Sequence, residues 1–409
     1  MCSRNCTLQN LLPHLQKCQS LLLVLLLPLS LSAQTYRTDS LYQGTKGYVE
    51  YLPGNMALLF AASHGGDLAP ADIPTRSCSG CVTATDLNTQ ELGRMVRNAV
   101  FKETGCYPHL IINRLRRSRL DANRDIQEAA LGNPDAEQAW KEYHSFIDIA
   151  KKRIETTAKR GLFIDLHGHG HSIQRLELGY LLSGTTLRGT NEALNSPDVI
   201  SNSSIRQLVA DGRQKSPHAE LIRGEQSLGT LLEKASYASV PSSADPAPRS
   251  GQDYFSGGYS TDRHGSANGG NIDAIQIECN YQGVRDSEIS LAYFAESLAK
   301  SLLEYLKLHY FSPLPSCLTI TPTEEIEHAP VRLFPNPGCG TFQIEVPEPG
   351  AWGSMGVFDS YGKKQMEWTE PSATLALPAG KFPNGIYWLV LKKNNVQTTR
   401  IPLIQQCPR

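Results

Sequence analysis

The chain has 409 residues, with 39 Lys and Arg against 40 Asp and Glu, a formal net charge of -1 and 40% hydrophobic residues. Those values describe a near-neutral globular protein long enough for two domains with cores of their own. They exclude the basic excess of a nucleic-acid binder and the acidic arm of a solvating tail.

In chain order, the first feature is the long apolar run Leu21–Leu31, preceded by Arg4 and Lys17. It is shorter than a bilayer-spanning helix, contains Pro28 and ends in the small residues LSLSAQ. This predicts a secretory signal over 1–33 with cleavage near Ala33, and no stable transmembrane span in the mature protein; a retained anchor is the alternative. Cys2, Cys6 and Cys18 leave with the signal, so seven of the 10 cysteines remain. An odd number in an exported chain requires at least one thiol that is free or pairs outside the chain. The CSGC of Cys78 and Cys81 has no second CxxC to complete a zinc site, and a local loop disulfide is expected.

Ala57–Ala62 is an apolar run of strand length that ends in Ser63, His64, two glycines and Asp67. Over Asp86–Thr104, apolar residues at helical spacing stop at Gly105. HLIINR at 109–114 reads as a strand and is followed by the basic RLRRSRLDANRD. Asn133 is the expected cap and Pro134 the first residue of a helix whose apolar face carries Trp140, Tyr143, Phe146, Ile147, Ala150 and Ile154. Leu162–Leu166 is a buried strand that runs into His167, His169 and His171 alternating with small residues. Residues 183–270 are rich in Ser, Gly, Asn and Pro, with a helix expected near Gly229–Lys234. Ile272–Glu278 alternates as a strand, and Asp286–Tyr310 closes the pattern as an amphipathic helix. Strands and helices that alternate in this way predict an α/β domain over 45–312, with a mixed sheet and helices on both faces. Pro313–Pro330 is a linker by composition, and 331–409 holds short alternating runs cut by Gly, Pro and Asn, the pattern of a small all-β sandwich. No internal repeat is present.

Three strand ends deliver metal-compatible chemistry. His64 and Asp67 follow the first, His167 follows the second, and Glu278 closes the third. Two histidines and an aspartate leave a fourth zinc position open, and a nearby glutamate can take the proton of water. An arginine from the run Arg114–Arg124 can hold an oxyanion or a substrate carboxylate. Each piece alone has a structural alternative: Asp67 capping a turn, Glu278 pairing with an arginine, the histidines of the loop merely hydrogen-bonding.

SHGGDLAP, LDANRD, FIDLHGHG and GGYSTDRHG with IDAIQIE resemble the N-formylglutamate amidohydrolase-like family, related to the zinc metallocarboxypeptidases and aspartoacylase-like deacylases. The resemblance spans about residues 45–310 and implies a zinc carboxypeptidase-like fold with Zn2+ on His64, Asp67 and His167. It implies Glu278 as general base and Asn123 and Arg124 at the substrate, with Arg117 and His264 joining them. Arg119 is the expected oxyanion group and Arg117 the alternative. Metallocarboxypeptidases usually carry glutamate where this chain has Asp67. Beyond the linker, Pro335-Asn336-Pro337, VFDSYGKK and LPAGKFPNGIYWLVL resemble the type A sorting domain of the type IX secretion system. That implies export, contact with the type IX machinery, and release or anchoring at the cell surface. The expected function is therefore a secreted zinc hydrolase of an amide bond in a small acylated amino acid or a peptide. Its alternative is a catalytically degenerate surface module that binds carboxylates through its arginines. If the base is not Glu278, His169, His171 or His264 is expected in its place.

Overall fold

In the computed structural model of the protein, residues 36–318 are described without a break, as are 331–407 apart from 337, 347–348, 360–362, 379–381, 394–396 and 406. The predicted signal segment and most of the predicted linker lie outside the described residues.

Eight strands make one mixed sheet: β1 (Tyr42–Gln43), β2 (Val49–Leu52), β3 (Leu58–Ala62), β4 (His109–Asn113), β5 (Gly161–Gly168), β6 (Leu176–Gly179), β7 (Ser239–Val240) and β8 (Ile272–Cys279). Their spatial order is β1-β2-β4-β3-β5-β8-β6-β7. β4, β3, β5 and β8 run parallel at the centre, while β2 is antiparallel to β4 and β6 antiparallel to β8. The chain leaves β3 for β4 on one side, then crosses back to β5 on the other. The strand order therefore reverses at β3, and a crevice opens beyond the carboxyl ends of β3 and β5, where α/β sheets bind ligands.

Alternate residues of the central strands feed two cores. Leu58, Phe60, Ile164, Leu166, Ile275 and Ile277 pack with the helices Thr89–Thr104 and Glu288–His309. Leu59, Ala61, Phe163 and Ala274 face the helix Pro134–Ala158. That helix starts as the sequence predicts: Asn133 accepts the Ala136 N–H, and Pro134 occupies the first turn, where its missing donor costs nothing. The helix Thr89–Thr104 stops at Gly105, whose φ of 72° places it in the left-handed region that glycine adopts freely. It begins three residues later than the periodicity suggests, because Asp86 lies in the site described below.

Between β6 and β8 the helix expected near Gly229–Lys234 is present as Leu228–Lys234, accompanied by six more short α-helices and one 3-10 turn. Ser183, Thr190, Ser196 and Ser227 each cap one by accepting a backbone N–H. The serine-rich composition that reads as loop is, in good part, capping chemistry.

The C-terminal strands form a three-stranded and a four-stranded sheet, both antiparallel. Phe342, Ile344 and Leu377 from the first and Met355, Val357, Leu389, Leu391 and Leu403 from the second share one core, so the region is the expected sandwich. Disulfides join Cys78 to Cys81, Cys106 to Cys317 and Cys339 to Cys407, which among the described residues leaves Cys279 as a buried free thiol. The start of the predicted linker is tied down: Cys317 is bonded to Cys106, and the Leu318 N–H donates to Asn55 O. Among the described residues no helix is long and apolar enough to cross a membrane.

Candidate metal centre

Strand register builds the site. His167 on β5 lies opposite Glu278 on β8, and Glu278 lies opposite Glu177 on β6. Because side chains alternate, Asp165 and Gln276, two residues earlier on their strands, point to the same face. Ser63 and His64 follow directly after β3, at the same edge. A polar row thus crosses the sheet at the reversal point. It stays buried: His64 and His167 are each 1% exposed and Glu278 6%.

Three ligand atoms converge there. His64 Nδ1 lies 3.4 Å and His167 Nδ1 3.3 Å from Asp86 Oδ2, and the three residues form a group able to hold a metal ion. Each imidazole is oriented from behind. His64 Nε2 donates to Asp121 Oδ1 at 2.6 Å, and His167 Nε2 faces Asp165 Oδ1 at 3.1 Å. The carboxylate of Asp121 fixes the proton of His64 on Nε2 and leaves its Nδ1 lone pair aimed at Asp86, the carboxylate–histidine–metal arrangement; the Nδ1 of His167 faces the same Asp86 oxygen. His64 Nδ1 has no hydrogen-bond partner. A lone pair and an anionic oxygen do not share a dry space unless a cation or a proton lies between them. Metal bonds of about 2.0–2.1 Å in tetrahedral geometry put neighbouring ligand atoms about 3.3–3.4 Å apart, which is the spacing of each histidine from Asp86. The residues therefore fit a metal ion.

The electrostatics of the cluster follow from its mutual contacts. Burial alone would raise the Asp86 carboxyl, but His64 and His167 beside it hold it well below the ordinary range. Burial opposes a charge on His167, yet Asp165 and Asp86 push its pKa well above the usual value. Burial raises Asp121, and His64 and Arg117 more than reverse this. Glu278 is pushed up to about 8, chiefly by burial and then by Asp86, Glu177 and Asp165, with His167 opposing. Gln276 Nε2 donates to Glu278 Oε1 at 3.0 Å and fixes its orientation.

The structure places the predicted site residues as follows. Asp67 is exposed and outside the group; its backbone carbonyl accepts from Arg116, and Asp86 supplies the third ligand atom. Arg119 reaches the Ile73 carbonyl, whereas Arg117 donates to Asp121 Oδ2 at 2.9 Å and approaches Asp86 Oδ1 at 3.7 Å. Asn123 is beside the centre, its Nδ2 3.4 Å from His167 Nε2 and its Oδ1 accepting the Ser260 N–H. Arg124 is half-buried and paired with Glu128. His264 is fully buried, its Nε2 2.8 Å from His144 Nδ1 and its Nδ1 3.2 Å from Asp148. His169 and His171 form a second group with Glu177. There both His169 nitrogens meet backbone groups, and His171 Nδ1 is bonded to Glu177, so the network is already satisfied.

The sandwich strands begin at Arg332 and end at Gln405. Residues 332–405 match the family described as Secretion system C-terminal sorting domain. The sorting domain marks the chain as secreted or displayed at the cell surface. Comparison with curated proteins finds none that matches. Among solved structures, the chain is similar to an N-formylglutamate amidohydrolase from Ralstonia eutropha JMP134, with 12% identity over 62% of this chain and 94% of that one and a TM-score of 0.38. It is also similar to the succinylglutamate desuccinylase from Chromobacterium violaceum, with 11% identity over 66% of this chain and 70% of that one and a TM-score of 0.29. At those values neither contributes to the reading of the site, which stands on its own side chains.

Asp86, Asp121 and Asp165 are the residues of the candidate centre that sequence reasoning missed. Asp165 carried a signal, since it is the one charge in an apolar strand and shares a face with His167. Asp86 carried none, because it precedes a helix 19 residues after Asp67, as any capping residue would.

Proposed function

We propose that the protein is a secreted zinc-dependent hydrolase that cleaves an amide bond in an N-acyl amino acid or a peptide. The observation that carries this reading is the convergence of His64 Nδ1, His167 Nδ1 and Asp86 Oδ2, with Glu278 on the neighbouring strand. A zinc ion bound there would supply Lewis acidity and ready ionisation of water. Glu278 takes the proton of the attacking water and passes it to the amine nitrogen as the C–N bond breaks, while the oxygen of water ends in the new carboxylate. Its place on β8, opposite His167, is what supports that role. Arg117, held by Asp121, is the guanidinium placed to steady the oxyanion, and Asn123 borders the substrate. The family resemblance of the sequence motifs supports the same roles. Export through the type IX machinery, followed by cleavage or surface anchoring, accords with the sorting domain. An exported enzyme is matched to an amide met outside the cell, such as a peptide, a cell-wall fragment or an acylated amino acid.

The decisive experiment is Glu278→Gln. Gln retains size and an oxygen that can accept from Gln276, so zinc content and melting temperature should persist while turnover falls by a factor on the order of 10²–10⁴. The substrate panel for that assay is a set of acyl-amino acids and peptides. Full turnover in the variant would remove Glu278 from the chemistry. A wild-type protein that holds zinc but cleaves nothing on the panel would favour the binding-module alternative.

A further inference from the structure

Arg285 is 3% exposed, and its guanidinium is spent on backbone carbonyls. Its Nε donates to Cys279 O at 3.0 Å, its Nη2 to His169 O at 3.2 Å, and its Nη1 to Leu87 O. Cys279 follows Glu278, Leu87 follows Asp86, and His169 lies two residues after His167. The contacts are reciprocal, because the Arg285 carbonyl accepts from Asn88 Nδ2 at 2.6 Å. The plane of the guanidinium covers Gly168, where a Cβ would collide with it. The Gly168 N–H in turn donates to Asp86 Oδ2 at 3.1 Å.

We infer that Arg285 is the positioning residue of the metal centre, one buried fork that sets the relative placement of Asp86, His167 and Glu278. The three come from separate segments, Asp86 and His167 being 81 positions apart in the chain, so nothing local fixes their geometry. A planar guanidinium with five donors can hold three carbonyls at set angles; a lysine ammonium is a point charge on a flexible stem and cannot. Gly168 is then glycine because the fork needs its surface. This inference rests on the metal reading above.

Two variants test it, each in the full chain. Arg285→Lys keeps the charge and removes the fork. Gly168→Ala keeps Arg285 and places a methyl where the guanidinium lies, in an extended strand that tolerates alanine. The first readout needs no metal: amide hydrogen exchange of the apo protein. Both variants should lose protection at Gly168 and His169 while the helix Pro134–Ala158 stays as protected as in wild type. The second is zinc affinity by chelator competition, expected to fall on the order of 10–100-fold, with an altered visible spectrum when cobalt(II) replaces zinc. Zinc affinity unchanged in both variants overturns the inference, as does loss of protection throughout the chain, which would make Arg285 an ordinary core residue. If wild type takes up no zinc but the exchange effect is confined to those amides, the metal reading fails and the positioning role stands.

Discussion

A carboxylate oxygen set between two imidazole nitrogens needs positive charge at the centre, so the cost of removing each ligand differs in kind from ordinary core damage. His167→Ala and Asp86→Asn should each abolish zinc retention in metal analysis of the purified protein, with little change in far-UV circular dichroism. Asp67→Ala should leave zinc at about one per chain. Zinc lost in Asp67→Ala and kept in Asp86→Asn would reverse the ligand assignment. The histidines were legible because alternation with glycine at a strand end is rare in a core. Asp86 was not, because the third ligand arrives through tertiary approach from a loop with no spacing rule. The choice between Arg117 and Arg119 was equally closed to sequence, since both follow the same strand and only the turn decides which one reaches Asp86.

At the scale of the element, β8 carries two buried carboxyls with opposite uses. Glu278 closes its carboxyl end at the site. Asp273, at its other end, accepts from Ser266 Oγ at 2.6 Å, Tyr310 Oη at 3.0 Å and the Leu208 N–H at 3.2 Å. Burial nevertheless pushes Asp273 up to about 7 from 3.8, against those three bonds. The folded state therefore holds a proton that the unfolded chain has released. The stability from this group is complete below about pH 4 and is lost as pH rises through about 7, a loss of at most about 4 kcal/mol. Asp273→Asn should flatten the fall in melting temperature between pH 5 and pH 8 relative to wild type. Identical pH profiles would mean that Asp273 is ionised in the fold throughout. Elements as such were well marked in the sequence. β3, β4, β5, β8 and the three long helices announced themselves by apolar runs, periodicity and caps. β2 and β6 did not: Val49–Leu52 is four residues with a buried Glu50, and Leu176–Gly179 carries the buried Glu177, so neither shows the apolar signature of a central strand.

For the whole molecule, the sandwich has a core of its own, drawn from residues 342–403, and the composition shift after Tyr310 was enough to predict it. The boundary was less legible, because a Pro-rich segment looks the same whether or not a disulfide fastens it. A chain ending at Pro330 should fold, stay soluble and retain any activity. One ending at Ser312 loses Cys317, leaves Cys106 as a thiol, and should melt several degrees lower, since removing such a cross-link costs about 2–5 kcal/mol. Equal melting temperatures for the two would show that the Cys106–Cys317 bond contributes nothing to the body.

That bond also decides where a pull is felt. A sorting domain is a handle, and tension applied to it passes along the chain from residue 331 back to residue 318. There it meets Cys317, covalently joined to Cys106 just beyond the end of the helix Thr89–Thr104. The load divides into the body at that point, before it reaches the helix Glu288–His309 or the strand that carries Glu278. With the disulfide formed, the closing helix cannot be peeled from its carboxyl end. With it reduced, the same force would unzip that helix first. In a force spectrometer the oxidised protein should therefore resist extension as one block, whereas the reduced protein should give up residues 310 and earlier in a separate, weaker step.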